Sequence, residues 1–291
     1  MTATVLFPGD DLLGEAPAWV ASLGLVVRVD LPRGVLHGGA PGETMTEILR
    51  VDGTLSAALP RRVGGYALCT RDRIRLVAAD GADDGAIELD LADGMRLSDA
   101  CATPAGDLLV GEVDDRAEVG EGRLGRVLRL RAGSREVDTL IEGVGFANGI
   151  RLSPSGERLH LVDSAAATVT TYAYADDDAP PSAETAFALD GVAGTPDGLA
   201  VDRLGCLWIA MFGGSALRVH RPGEAEPERV LRTPVSRVSS CAFVGPDLST
   251  LAVTTARVGM SDDDVVAEPL AGSVLAMEPG VRGAQVPECA L

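Results

Sequence analysis

Lysine is absent from this chain of 291 residues: all 25 basic side chains are arginine. That absence excludes Schiff-base and pyridoxal chemistry, a P-loop lysine and a lysine general base. Basic charge as a whole is scarce, and against 43 acidic residues it leaves a net charge of −18. Such a surface repels phosphate backbones and anionic membranes, so no nucleic-acid partner is expected. Histidine occurs only as His37, His160 and His220, and G-x-S-x-G and H-E-x-x-H are both missing. A Ser-His-Asp or Cys-His triad therefore has little support, and His160 and His220 read as packed strand residues. The five cysteines (Cys69, Cys101, Cys206, Cys241, Cys289) are odd in number and spaced for neither zinc nor a disulfide framework. They read as reduced, mostly buried thiols. A basic leader and an apolar run of the ~20 residues needed for a membrane span are also lacking, so the expected location is the cytoplasm. Asparagine and glutamine appear once each, as Asn148 and Gln285.

What is present is a series of short strands. Apolar residues alternate or run for four to seven positions, as in 23–31, 73–79, 106–113, 158–164 and 206–212, and Gly, Pro and Asp close each run. The turn phrases TPAGD, SPSGE, DRLGC and GPDLS place markers at Gly106, Gly156, Gly205 and Ser249, at intervals of 50, 49 and 44 residues. Six such units fill the chain, and a period of ~40–50 residues is that of a four-stranded propeller blade. The expectation is an all-β, six-bladed β-propeller, one domain over 1–291, with ATVLF (3–7) closing the last blade beside the C-terminal VLAME strand. The acidic runs Asp176–Asp178 and Asp262–Asp264 read as solvated loops.

Two familiar motifs fail on context. The G-x-G-x-x-G match from Gly120 to Gly125 precedes an alternating strand, so it reads as a hairpin turn rather than a dinucleotide loop. DGADDG at 80–85 lacks the third- and twelfth-position carboxylates of a calcium loop.

The innermost strand of every blade lines a central channel, so equivalent positions of distant repeats converge on one axis. Counting back about eight residues from each turn marker reaches Glu15, Asp99, Asn148, Asp197 and Ser240–Cys241. Carboxylates and an amide, without sulfur or imidazole, describe a hard-cation site at the channel. Three protein ligands would leave room for water and substrate, as a catalytic metal requires.

Here the chain resembles a known family. LGEAPAW, RLSDA, FANGI, TPDGLAVDRLGCLWIA, AFVGPDLSTLAVTTAR and AGSVLAMEPGVRG are similar, in order, to the signatures of the SMP-30/gluconolactonase/regucalcin family. The resemblance implies a six-bladed propeller with one divalent cation at the channel and hydrolysis of sugar-type lactones. It implies Glu15, Asn148 and Asp197 as metal ligands, Arg96 as the substrate-orienting arginine, and Asp99 as the acid of the N-D-G motif. Where the family reads R-F-N-D-G this chain reads Arg96-Leu97-Ser98-Asp99-Ala100, so Ser98 replaces a substrate-contacting asparagine.

The expected activity is metal-dependent hydrolysis of a small lactone, with Asp197 or Asp99 as general base and Arg96 and Ser98 at the substrate. The cation is calcium, with magnesium, manganese or zinc also compatible, and the partner is a small molecule bound by a monomer or homodimer. Two alternatives remain open from the residues. The same scaffold and metal could serve isomerisation, cyclisation or C–C bond formation, or the propeller could bind calcium without catalysis.

Overall fold

A computed structural model describes residues 3–117, 121–177 and 179–291. Strand β1 (Thr4–Phe7) is followed by a first blade of β2 (Gly14–Val20), β3 (Leu25–Asp30), β4 (Val35–Gly39) and β5 (Thr46–Arg50). The second comprises β6 (Leu55–Pro60), β7 (Tyr66–Thr70), β8 (Arg73–Val77) and β9 (Asp83–Glu88). The third comprises β10 (Met95–Ala102), β11 (Leu108–Asp114), β12 (Gly125–Leu130) and β13 (Val137–Val144). The fourth holds β14 (Ala147–Leu152), β15 (Arg158–Asp163), β16 (Thr168–Ala173) and β17 (Ser182–Ala188). The fifth holds β18 (Thr195–Val201), β19 (Leu207–Phe212), β20 (Ala216–His220) and β21 (Arg229–Arg232). The sixth is built from β22 (Val238–Val244), β23 (Thr250–Thr255), β24 (Val274–Met277) and the N-terminal β1.

All six sheets are antiparallel meanders of four strands, and the expected closure is present: Thr4 pairs with Ala276 and Val5 with Leu275. The innermost strands β2, β6, β10, β14, β18 and β22 neighbour one another around a ring. Each turn phrase found in the sequence lies between the first and second strands of its blade, where glycine supplies the positive φ, as at Gly106 and Gly156. The apolar core is divided into six slabs, one between each pair of adjacent blades. Leu59, Leu76, Leu108 and Leu130 meet between the second and third blades, and Trp208, Phe243, Leu251 and Met277 between the fifth and sixth. Each such side chain contributes about 1.5–3 kcal/mol on burial, so the blades hold one another and none is expected to fold alone.

The strand reading extends to the rejected motifs. Gly125 opens β12, which pairs with β11 as a hairpin, while Gly120 lies outside the described residues, as does Asp178 of the first acidic run. The second acidic run departs from expectation. Asp262–Ala267 form a short helix α1 whose N-cap Ser261 exchanges bonds with Asp264 in a capping box. Three aspartates in a first turn favour the helix dipole, an effect that outweighs their low intrinsic propensity. Among the described residues, no helix is long and apolar enough to cross a membrane.

Candidate active site at one end of the channel

From the cross-strand pair beside each blade's first turn (Val20↔Leu25, Pro60↔Tyr66, Ala102↔Leu108, Leu152↔Leu159, Val201↔Leu207, Val244↔Thr250), the residue four steps along the innermost strand can be read off. The six are Ala16, Ser56, Ser98, Asn148, Asp197 and Ser240. All six strands slip register at or beside this level, carrying one residue more than the partner strand. A bulge bends the strand and re-aims a side chain, which is why such irregularities gather at sites. The ring corrects the spacing argument in one respect. Ser98, not Asp99, stands level with Asn148 and Asp197; Asp99 is one step nearer the first turn and Glu15 one step farther.

Glu15 is followed by Ala16, a non-glycine residue at φ 44°, and its own Oε2 accepts the Ala16 N–H at 3.1 Å. Burial, reinforced by the charge of Asp99, pushes the Glu15 carboxyl up to about 8, against the opposing pull of the Ala16 N–H and Arg151. Asn148 and Asp197 belong to adjacent strands, and the Asn148 amide donates to Asp197 Oδ1. The same amide nitrogen lies 3.4 Å from Ser164 Oγ, which itself donates to the Pro196 carbonyl at 2.7 Å. Gly149 is indispensable behind Asn148. It sits at φ 46°, and a Cβ there would lie 2.6 Å from Val162 Cγ2 and 2.9 Å from the Asp197 carbonyl oxygen. The approach to Asn148 is fixed by Asp163, which accepts the N–H groups of Gly145 (2.8 Å) and Phe146 (2.9 Å).

Asp99 accepts three hydrogen bonds. Oδ1 accepts the Ala100 N–H at 2.8 Å, and Oδ2 accepts both the Ile150 N–H and Arg151 Nη1 at 3.0 Å. The Arg151–Asp99 pair joins the third and fourth blades, with side chains 14% and 8% exposed. Ser98, 4% exposed, donates its hydroxyl to the Ala147 carbonyl at 2.7 Å, so its proton is used in joining the same two blades. Gly111 makes room for it, since a Cβ there would meet Ser98 Oγ at 2.3 Å. Arg96 is held by Asp115 at 3.4 Å, which also binds Arg71, and its guanidinium lies 5.6 Å from the centre of the Phe146 ring.

Whether a divalent cation fits is decided by these donors. Among the described residues, no three His, Cys, Asp or Glu side chains gather as a metal cluster. The expected set contains only two acids, with an amide oxygen as the third donor, so it lies outside that count. The chemistry of the donors favours a cation: a half-buried Glu15 carboxyl crowded by the charge of Asp99, and an Asn148 amide already set against the Asp197 carboxyl, are hard oxygen groups on one ring. Turning the Asn148 amide over would present its oxygen in place of the nitrogen now on Asp197. The residues therefore suit a hard cation such as calcium or magnesium.

The sequence reading missed Arg151, Asp115 and Ser164. Arg151 carried a signal, a charged residue inside the apolar phase of β14, only three positions after Asn148. His160 and His220 are packed strand residues, as expected: His160 bonds Thr171 and His220 stacks on Phe187, while His37 contacts Arg28. All five cysteines are buried and unpaired, and burial pushes Cys101 and Cys241 up to about 12.

Residues 13–257 match the family model described as SMP-30/Gluconolactonase/LRE-like region. A pentonolactonase, XacC, of Haloferax volcanii is 31% identical over 257 residues, covering 88% of this chain and 86% of that protein. Regucalcin of Danio rerio is 26% identical over 277 residues, covering 93% and 92%. Among solved structures, a luciferin-regenerating enzyme superposes with a TM-score of 0.85 at 25% identity, over 97% of both chains. With family signatures matched in order and the propeller ring in place, the chain belongs to the SMP-30/gluconolactonase/LRE-like family.

Proposed function

We propose that this protein hydrolyses a small lactone, using a divalent cation held by Glu15, Asn148 and Asp197. The observation that carries the reading is the half-buried Glu15 carboxyl, set on the same ring of strand bulges as the hydrogen-bonded Asn148–Asp197 pair. The name of the pentonolactonase relative supports lactone hydrolysis as the reaction class. When bound, the cation would supply Lewis-acid polarisation of the lactone carbonyl.

The chain's own groups divide the remaining work. Asp197 is the general base, taking the proton of the water that attacks the carbonyl carbon. Asp99 is the weaker candidate, because its two oxygens already accept three hydrogen bonds, one of them from a buried arginine. Its role is to hold β10 against β14. Arg96 is positioned by Asp115 and Phe146 to receive a ring oxygen or acidic substituent of the substrate and to oppose the negative charge developing on the carbonyl oxygen. Ser98 forms wall rather than donor, since its proton is engaged by Ala147. A lactone selected by Arg96, without an amide fork at Ser98, should be less densely hydroxylated than a hexose lactone.

The test is a panel of sugar and aliphatic lactones assayed with protein stripped by chelator and then reloaded with calcium, magnesium, manganese or zinc. Reloading should restore turnover, and Asp197→Asn should lower kcat by at least 100-fold while the melting temperature holds. Undiminished turnover in the stripped protein would remove the metal from the reaction. Failure of every loaded form on every lactone, with tight cation binding, would leave a non-catalytic cation-binding propeller.

A further inference from the structure

The end of the channel opposite the candidate active site contains a cavity of about 600 Å³ that the hydrolytic reading does not use. Its walls come from the lower parts of the innermost strands and are mainly small or apolar: Ala18, Ala58, Ala102, Ala200 and Ala242 leave the space open, and Trp19 lines it. Its outer side is crossed by the C-terminal segment. One end of that segment is fixed on the fifth and sixth blades, where Ala284 donates to the Val201 carbonyl at 3.0 Å and Gly283 to that of Leu248 at 2.9 Å. The other end is fixed on the second and third blades, where Cys289 donates to the Pro60 carbonyl at 3.0 Å and Ala290 to that of Gly106 at 2.8 Å. Blades five and six lie across the ring from two and three, so residues 285–288 bridge the mouth.

At the cavity wall stands Arg151. All three of its hydrogen bonds from side chain to protein run through Nη1, to Asp99 and to the Ala100 and Ile150 carbonyls. Among the described residues, Nε and Nη2 have no hydrogen-bond partner, although a guanidinium carries five N–H donors. The other charged residues at the cavity are Arg62, whose Nη2 donates to the Pro104 carbonyl at 2.6 Å, and Glu288 on the strap. Asp99 balances one charge of Arg151 from behind the wall, and Arg62 and Glu288 balance each other, so what Arg151 offers the cavity is its unengaged N–H edge.

We propose that this strapped cavity is a second binding site, for a medium-chain aliphatic carboxylate whose head group meets the free edge of Arg151. The carboxylate oxygens take Nε–H and Nη2–H as a bidentate pair, while Nη1 keeps its bond to Asp99. The tail lies among the alanines and Trp19, beneath Val286 of the strap. The volume falls within the ~300–1,000 Å³ usual for small-molecule sites, and an apolar chamber with one convergent polar group is the usual lining. The proposal does not rest on lactone hydrolysis and stands whether or not that reading holds.

The experiment titrates octanoate into the intact protein, read by calorimetry and by Trp19 emission, with 1-octanol and octyltrimethylammonium as head-group controls. Octanoate should bind at least tenfold tighter than either control and raise the melting temperature. Arg151→Gln should reduce the octanoate preference over octanol by tenfold or more. Because Arg151 also supports Asp99, a second variant is needed that leaves it untouched: Ala242→Phe should fill the chamber and abolish binding of octanoate and octanol alike. Equal affinity for octanoate and octanol, absence of binding at millimolar octanoate, or full retention of binding in Ala242→Phe would each overturn the proposal.

Discussion

Replacing Arg151 by methionine tests how the third and fourth blades are held together. The guanidinium bonds Asp99 at 3.0 Å and two backbone carbonyls, at 3.2 and 2.6 Å, and both charged side chains are largely buried. Removing one partner of a buried ion pair costs about 3–5 kcal/mol, most of it from the charge left uncompensated. Asp99 would then face Glu15, whose carboxyl it already pushes up, with nothing positive between them. At roughly 2.1 cal/mol/K per residue, a chain of this size has an unfolding entropy of about 0.6 kcal/mol/K, so the loss amounts to ~5–8 °C in melting temperature. Asp99→Asn in the Arg151→Met background should recover at least half of it, because the uncompensated charge is then gone. Urea melts of the wild type, both single variants and the double variant would give the coupling energy as a double-mutant cycle, expected at 2 kcal/mol or more. An Arg151→Met protein within 0.5 kcal/mol of wild type would refute the account of Arg151 as the clasp between these blades.

Three further outcomes are expected. Asn148→Asp should hold or raise cation affinity while lowering lactone turnover, because a third carboxylate weakens the cation's Lewis acidity; an Asn148→Ala protein with unaltered affinity and rate would show that Asn148 serves only the Asn-Gly turn. Gly149→Ala should cost about 1–3 kcal/mol in a urea melt, since φ 46° is unfavourable for alanine and its Cβ would press on Val162 and Leu199; a change below 0.3 kcal/mol would contradict the packing described. Burial raises the Asp11 carboxyl to about 7, against the pull of Arg28 and with Asp30 and Asp10 adding to the rise, while His37 Nδ1 meets, at 2.9 Å, the same Arg28 nitrogen that Asp11 meets at 2.6 Å. A raised folded value means that this group's stabilisation is complete below about 4 and is lost as pH climbs through 7. Melting temperatures of wild type minus Asp11→Asn should therefore fall between pH 4 and 7, and a difference that stays flat or rises would count against the assignment.

Much of the fold was written in local chemistry. Short alternating runs, glycine turns at intervals near 50 residues and the absence of long amphipathic patterns specify repeated antiparallel meanders, because strand periodicity and turn residues act over a few neighbours. The first strand's place beside the last was also legible, since a ring of blades leaves an edge that β1 can close. The exception at Asp262–Asp264 has a local cause as well: the Ser261–Asp264 capping box was present in the sequence but was read as charge alone.

The site divides along a different line. Repeats bring equivalent positions to one axis, so the sequence could place Asn148 and Asp197 near each other, and the structure pairs them. How the side chains at that level are aimed was decided by the bulges, which add one residue to each innermost strand there. A count of about eight residues from Gly106 does not separate Ser98 from Asp99, and both lie in the bulge between Leu97 and Ala100. The fates of Asp99, Ser98 and Arg151 depend on contacts that cross from one blade to the next, between residues about 50 positions apart. No local pattern encodes such a contact, because it arises only when six separately formed sheets pack their faces together. The chamber beneath Arg151 has the same origin: alanines scattered through the repeats become one space, and the C-terminal segment becomes its strap, only once the ring is closed.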